Sequence, residues 1–220
     1  MRQILLGVSA ATIVLAAAAT ASAQDAPAGP DSRLFFGATA HSVPAGHGYF
    51  SVHELALLSV QIGVTDRFSV GAGTPWMIPG KVMWFSPKYE VYRSPAVSVA
   101  AGMLHLAIPG EGGMNVTYGV TTIGGAVGSM TTGVGVATPL FGDGAKPHDI
   151  VFMIGGEQRT SEHVSFVTEN YVFRGVALVS VGVRRTRGDF SYDLGLMMPI
   201  DPNGSGAAGL APLVNAAWRF

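Results

Sequence analysis

Val179-Ser180-Val181-Gly182-Val183-Arg184 is followed a few residues later by Phe190-Ser191-Tyr192-Asp193-Leu194-Gly195-Leu196. In both stretches a bulky apolar residue alternates with a small or polar one. Strict alternation is the signature of a strand with two unlike faces. The same beat runs through residues 58–64, 68–73, 97–103 and 132–136. No stretch after residue 24 keeps a helical period, so the chain reads as all-β.

The chemistry of the two faces says what they touch. In a soluble sandwich the face opposite the core carries Lys, Glu, Asp and Arg, but here it is Gly, Ser, Thr and Ala with few charges. The bulky face is Val, Leu, Ile, Met and aromatics. This inverted arrangement fits a sheet whose bulky face meets lipid and whose small polar face lines an enclosed interior. An open sheet edge in hydrocarbon leaves backbone groups unpaired at several kcal/mol each, so such a sheet closes. The expected fold is a closed antiparallel transmembrane β-barrel.

Composition agrees. Of 220 residues only 12% are charged, mean hydropathy is +0.37 and Gly supplies 30 positions. A disordered chain is polar and highly charged, and a nucleic-acid binder shows a basic excess, whereas this chain has net charge −1. With no Cys, disulfide scaffolds, thiolate metal sites and Cys nucleophiles are excluded. Arg2 precedes an apolar run from Ile4 to about Ala19, and Ala21-Ser22-Ala23 fits a signal-peptidase site. Residues 1–23 therefore read as a cleaved signal peptide, 24–32 as a flexible lead and 33–220 as the barrel. No later run is long enough for a spanning helix.

The last residues alternate again, with Val214, Ala216, Trp218 and Phe220 on one face and Asn215, Ala217 and Arg219 on the other. This resembles the terminal strand of Gram-negative outer-membrane β-barrels, which ends in an aromatic residue, usually Phe. The resemblance implies an outer-membrane, porin-like protein in contact with the lipid bilayer. It also implies that the segment with Trp218 and Phe220 is an assembly signal read by the barrel-assembly machinery.

In such barrels short periplasmic turns alternate with longer outer loops. Short polar connections occur at Thr65-Asp66, Arg93-Ser94-Pro95, Gly124-Gly125, Thr160-Ser161-Glu162 and Arg187-Gly188. Pro/Gly-rich connections at 75–80, 109–113, 139–147 and 199–206 lie between them, and Arg174-Gly175 reads as a tight outer loop. Completing the pattern backward makes 48–64 one strand, preceded by a first strand at Arg33-Leu34-Phe35-Phe36-Gly37. The expected count is twelve, or ten without that strand and the Arg174-Gly175 loop. Aromatic residues at Tyr49-Phe50, Phe68, Trp76, Trp84-Phe85, Tyr89, Tyr92, Phe190, Tyr192 and Trp218 fall toward strand ends, where membrane girdles form.

Parity assigns Lys88, Glu90, Glu157, Glu169, Arg184, Asp193 and Arg219 to the lumen, because charge on the lipid face is costly. They line either a polar pore or an ion-paired interior. His41, His47 and His53 recur every six residues beside Glu54, a conceivable surface metal site, but loop histidines without a ligand are commoner. His163 and Ser165 share a face without a visible third group, short of a nucleophilic triad. The reading is a non-enzymatic barrel, a narrow passive pore or a structural one, without cofactor, metal or nucleic-acid partner. The alternatives are a membrane-embedded lipid hydrolase or acyltransferase, and a soluble periplasmic barrel binding an apolar ligand.

Overall fold

The computed structural model describes residues 32–139, 149–173, 175–200 and 209–220. The signal segment, the lead up to residue 31, Arg174 and the connections at 140–148 and 201–208 lie outside the described residues.

Twelve strands follow one another: β1 (Gly48–His53), β2 (Leu57–Gly63), β3 (Phe68–Pro75), β4 (Met83–Arg93), β5 (Val97–Ile108), β6 (Gly112–Gly124), β7 (Gly128–Pro139), β8 (Asp149–Arg159), β9 (Val164–Phe173), β10 (Val176–Arg187), β11 (Phe190–Ile200) and β12 (Ala211–Arg219). Each pairs antiparallel with the next, and β12 pairs with β1 to close the barrel. The seam is short, running from Tyr49↔Arg219 to His53↔Asn215. The Gly48 N–H donates to Phe220 O and the Phe220 N–H to Gly48 O, both at 2.9 Å.

The faces divide as the alternation demands. Val60, Val134 and Val181 are 38%, 50% and 42% exposed on the outside. Ser51, Ser69, Ser98, Thr122 and Thr131 are buried inside. A lipocalin-like barrel for an apolar ligand would carry the opposite distribution. Outward aromatics gather at the end that carries the short turns: Trp218 lies opposite both Phe50 and Phe190 in register, and its ring meets Phe190 edge-on at 6.3 Å. Tyr49 and Trp84 depart from the girdle reading. Tyr49 is buried and takes a hydrogen bond from Ser32, and Trp84 leans over Gly73 on the inner face.

The first strand is where the sequence reading fails. Residues 33–37 are not a strand, and 48–64 is two strands, so one error offsets the other and the count stays at twelve. β1 and β2 are joined by a turn in which Glu54 and Leu55 have φ of 51° and 56°. Left-handed residues at such a turn are usually Gly or Asn, so no turn residue marked the break. Residues 32–47 instead fold back into the lumen. Their side chains and backbone touch β4, β6, β9, β10 and β11, which only an axial position permits.

Candidate functional site: the occupied lumen

The segment from Ser32 to His47 begins as a tight reversal. The Leu34 N–H donates to Gly37 O at 2.8 Å and the Thr39 N–H to Ser32 O at 3.1 Å. The reversal carries two adjacent bulky residues, Leu34 and Phe35. Both are buried at the axis against Val167 and Leu213. The wall gives way where the reversal passes, since a Cβ on Gly155 would lie 2.6 Å from Leu34 Cδ1.

Charged wall residues hold this segment in place. Arg184 donates from Nε and Nη2 to Asp193 Oδ1 and Oδ2 at 2.7 and 3.1 Å, and from Nη1 to Glu157 Oε2 at 2.6 Å. Its Nη2 also reaches Leu34 O at 2.6 Å. Arg33 Nη1 donates to Asp193 Oδ2 at 3.0 Å and to the Leu34 and Phe35 carbonyls at 2.9 Å. Glu169 caps the reversal, accepting from the Phe36 and Gly37 N–H groups at 3.0 Å and from Tyr171 Oη at 2.7 Å.

Across the lumen Lys88 donates to three carbonyls of the segment: Ser32 O at 3.0 Å, Thr39 O at 3.0 Å and His41 O at 2.6 Å. Glu90 accepts from the Ser42 N–H at 3.1 Å and is paired with Arg93. Buried charge is tolerable when paired and fully hydrogen-bonded, and the segment's backbone supplies much of that bonding. Burial holds the His41 imidazole below its usual value, with Glu90 opposing and Lys88 and Arg93 adding to the effect.

Lys88, Glu90, Glu157, Glu169, Arg184 and Asp193 thus face the enclosed interior. Arg219 lies at the rim, where its Nη2 caps the Gly188 carbonyl at 2.9 Å. The histidine spacing does not build a metal site. His47 is exposed at one end of β1 and His53 buried at the other, about 20 Å apart at 3.3 Å per residue. Among the described residues no cluster of three ligating side chains exists. Ser165 is buried facing inward and His163 is exposed in the preceding turn, so the two do not form a nucleophile–base pair.

Residues that sequence reasoning missed are those of the segment itself, Arg33, Leu34, Phe35 and Ser42 above all. Local sequence carried no distinguishing signal for them, since adjacent bulky pairs such as Leu34-Phe35 also occur in wall strands, as Tyr49-Phe50 in β1 and Trp84-Phe85 in β4. Between the segment and the β1–β6 wall remains a cavity of about 130 Å³, lined by Arg33, His53, Gln61, Trp84, Ser86 and Lys88 among others.

No family model matches this chain, and no curated protein does. Solved structures do. The chain is similar to "KdgM porin" with TM-score 0.56 at 7% identity, over 79% of this chain and 98% of that one. It is similar to "KdgM porin in complex with disordered oligogalacturonate" with TM-score 0.57 at 7% identity and the same coverage. At this identity the likeness is one of fold, and the fold is the closed twelve-stranded antiparallel barrel.

Proposed function

We propose that the protein is a non-enzymatic outer-membrane pore, narrow and passive, whose lumen is closed in this state by residues 32–47. The observation that carries this reading is what fills the barrel. Eight-stranded barrels are packed by their own wall side chains, whereas 16–18 strands leave a channel. Here twelve strands enclose a space wide enough for a folded-back chain segment. The wall residues around it are hydroxyls, glycines and paired charges, with small apolar contacts at Leu34 and Phe35, at Ala40 and at Val43. Such a lumen passes solutes once the segment is withdrawn. The outward apolar face and the fold shared with KdgM porin support placement in an outer membrane.

The absence of native Cys makes a clean test available. The Ala40 N–H donates to Thr122 Oγ1 at 2.9 Å, so cysteines at these two positions can tie the segment to β6. In planar bilayers the Ala40→Cys/Thr122→Cys protein is expected to be silent when cross-linked and to show current steps after the tie is released. Silence in both states, with the barrel folded, leaves a structural barrel and overturns the pore.

A further inference from the structure

We propose that the protein pairs with a second copy of itself through the outer face of β5 and β6, about a two-fold axis along the membrane normal. The first observation is what that face carries. Ala100, Val120 and Thr122 are buried inside the barrel. Alternation therefore sends Ala101 and His105 of β5 outward, with Asn115, Thr117, Gly119 and Thr121 of β6. From 115 to 121 no outward residue of β6 is bulky and apolar. The outward positions of β8 are Ile150, Phe152 and Ile154 and those of β10 are Val179, Val181 and Val183, all exposed.

The second observation is an unused donor and acceptor on that face. His105 and Asn115 stand opposite each other in the β5–β6 register, with His105 Nδ1 at 2.7 Å from Asn115 Oδ1. An amide oxygen only accepts, so Nδ1 carries the proton. The His105 Nε2 lone pair and the Asn115 Nδ2 hydrogens have no partner among the described residues. Apolar side chains continue past the pair on the β4 side, with Met83 and Trp76 exposed toward the longer loop and Tyr89 exposed toward the short turn. The pair thus lies within the apolar band, where hydrocarbon offers neither donor nor acceptor. By contrast Thr168 and Asn170, outward on β9, hydrogen-bond to the backbone of β8 and β10.

The third is the match of this face to itself. Two copies inserted in the same direction can share a two-fold axis only along the membrane normal, and such a contact is isologous. With the axis between β5 and β6, each His105 Nε2 faces the Asn115 Nδ2 of the other copy, so the unused acceptor meets the unused donor twice. Shape agrees. Two convex barrels meet along a line, where short side chains such as Ala101, Thr117 and Thr121 let the walls approach. On either side of the line the walls curve apart. There Phe85 and Tyr89 of β4 face Val134 and Val136 of β7 in the other copy, all of them exposed.

Pairing goes beyond the pore reading and is measured without any current, so a silent barrel can pair and a conducting one can stay single. Native Cys is absent. Thr117→Cys places one thiol beside the axis, and Val181→Cys places one on the outward face of β10. In the membrane fraction of expressing cells, a short bis-thiol reagent is expected to convert Thr117→Cys to a species of twice the monomer mass and to leave Val181→Cys single. The detergent-solubilised full chain is expected to sediment as a dimer, and His105→Leu/Asn115→Leu to weaken dimerisation about tenfold or more. Heat-modifiable migration shows that each variant is folded, and the cross-linking comparison carries the test if the double variant is not. Folded Thr117→Cys that stays single, equal cross-linking at both positions, or a ladder beyond the dimer overturns the contact. So does a dimer unchanged by the double substitution, or a native mass spectrum that shows a monomer with bound lipid.

Discussion

Arg184 and Asp193 stand opposite each other in the β10–β11 register, joined by two hydrogen bonds of 2.7 and 3.1 Å, and Arg33 reaches the same carboxylate from the luminal segment. One buried carboxylate therefore ties the barrel wall to the chain that fills it. Breaking a buried pair by removing one partner costs about 3–5 kcal/mol, because the other charge is left uncompensated. Asp193→Asn is expected to destabilise the folded barrel by that order. Arg33→Gln should cost less, since Asp193 keeps Arg184. Denaturant midpoints of the two variants in detergent compare them, and equal losses would contradict the ranking.

Lys88 acts on the segment alone. Its Nζ serves the Ser32, Thr39 and His41 carbonyls, two of them in buried residues. Leaving a buried acceptor unsatisfied costs about 1–3 kcal/mol. Lys88→Met is expected to speed amide hydrogen exchange and proteolysis within 33–43 while β5–β11 stay protected. Uniform loss of protection around the barrel would show that Lys88 holds the wall instead.

Gly63 marks where the segment leaves the lumen. The Gly63 N–H donates to His47 O at 2.9 Å and Gly63 O accepts from the Gly46 N–H at 3.2 Å. A Cβ there would lie 2.0 Å from Pro44 O and 2.4 Å from Val43 O, and backbone cannot rotate away. Gly63→Ala is expected to shift this neck at a cost of about 1–3 kcal/mol. Gly119→Ala, whose nearest neighbour is at 4.0 Å, should stay within about 0.5 kcal/mol. Thermal unfolding of both variants checks the contrast.

His41 makes seating of the segment depend on pH. Its folded-state pKa is lowered, chiefly by burial, so the released segment binds the proton more tightly than the seated one. Seating is therefore strongest above the ordinary histidine value of about 6.5 and weakens as pH falls from there through the lowered folded value. His41→Asn should flatten this dependence. Reactivity of a single cysteine at Ala40 toward a thiol reagent, followed from pH 7.5 to about 5.5, reads it; equal slopes with and without His41 would assign the effect to other groups.

Phe220 is proposed to serve assembly as well as closure. Its backbone pairs with Gly48, and its ring crowds the position of a Gly48 Cβ at 2.6 Å. Phe220→Ala keeps the two backbone bonds, so refolded protein in detergent should lose no more than about 1–2 kcal/mol. In cells the heat-modifiable, outer-membrane-assembled fraction is expected to fall several-fold. A parallel loss in both measurements would reduce the residue to local packing.

The sequence by itself determined the parts that depend on period and on solvent. Alternation such as 179–184 can satisfy only a two-faced strand, and a bulky face without charge suits only acyl chains. Closure follows because no edge survives in lipid. The inward parity of Lys88, Glu90, Arg184 and Asp193 was legible for the same reason, whereas the alternation around Glu169 was ambiguous. Tertiary structure alone decided what occupies the axis. Arg33–Gly37 resembles a strand in composition, and its fate turns on long-range partners at Glu169, Arg184 and Asp193 that lie 132 to 160 residues away. Local pattern records which face a residue prefers, but not that the enclosed space is large enough for the chain to enter it.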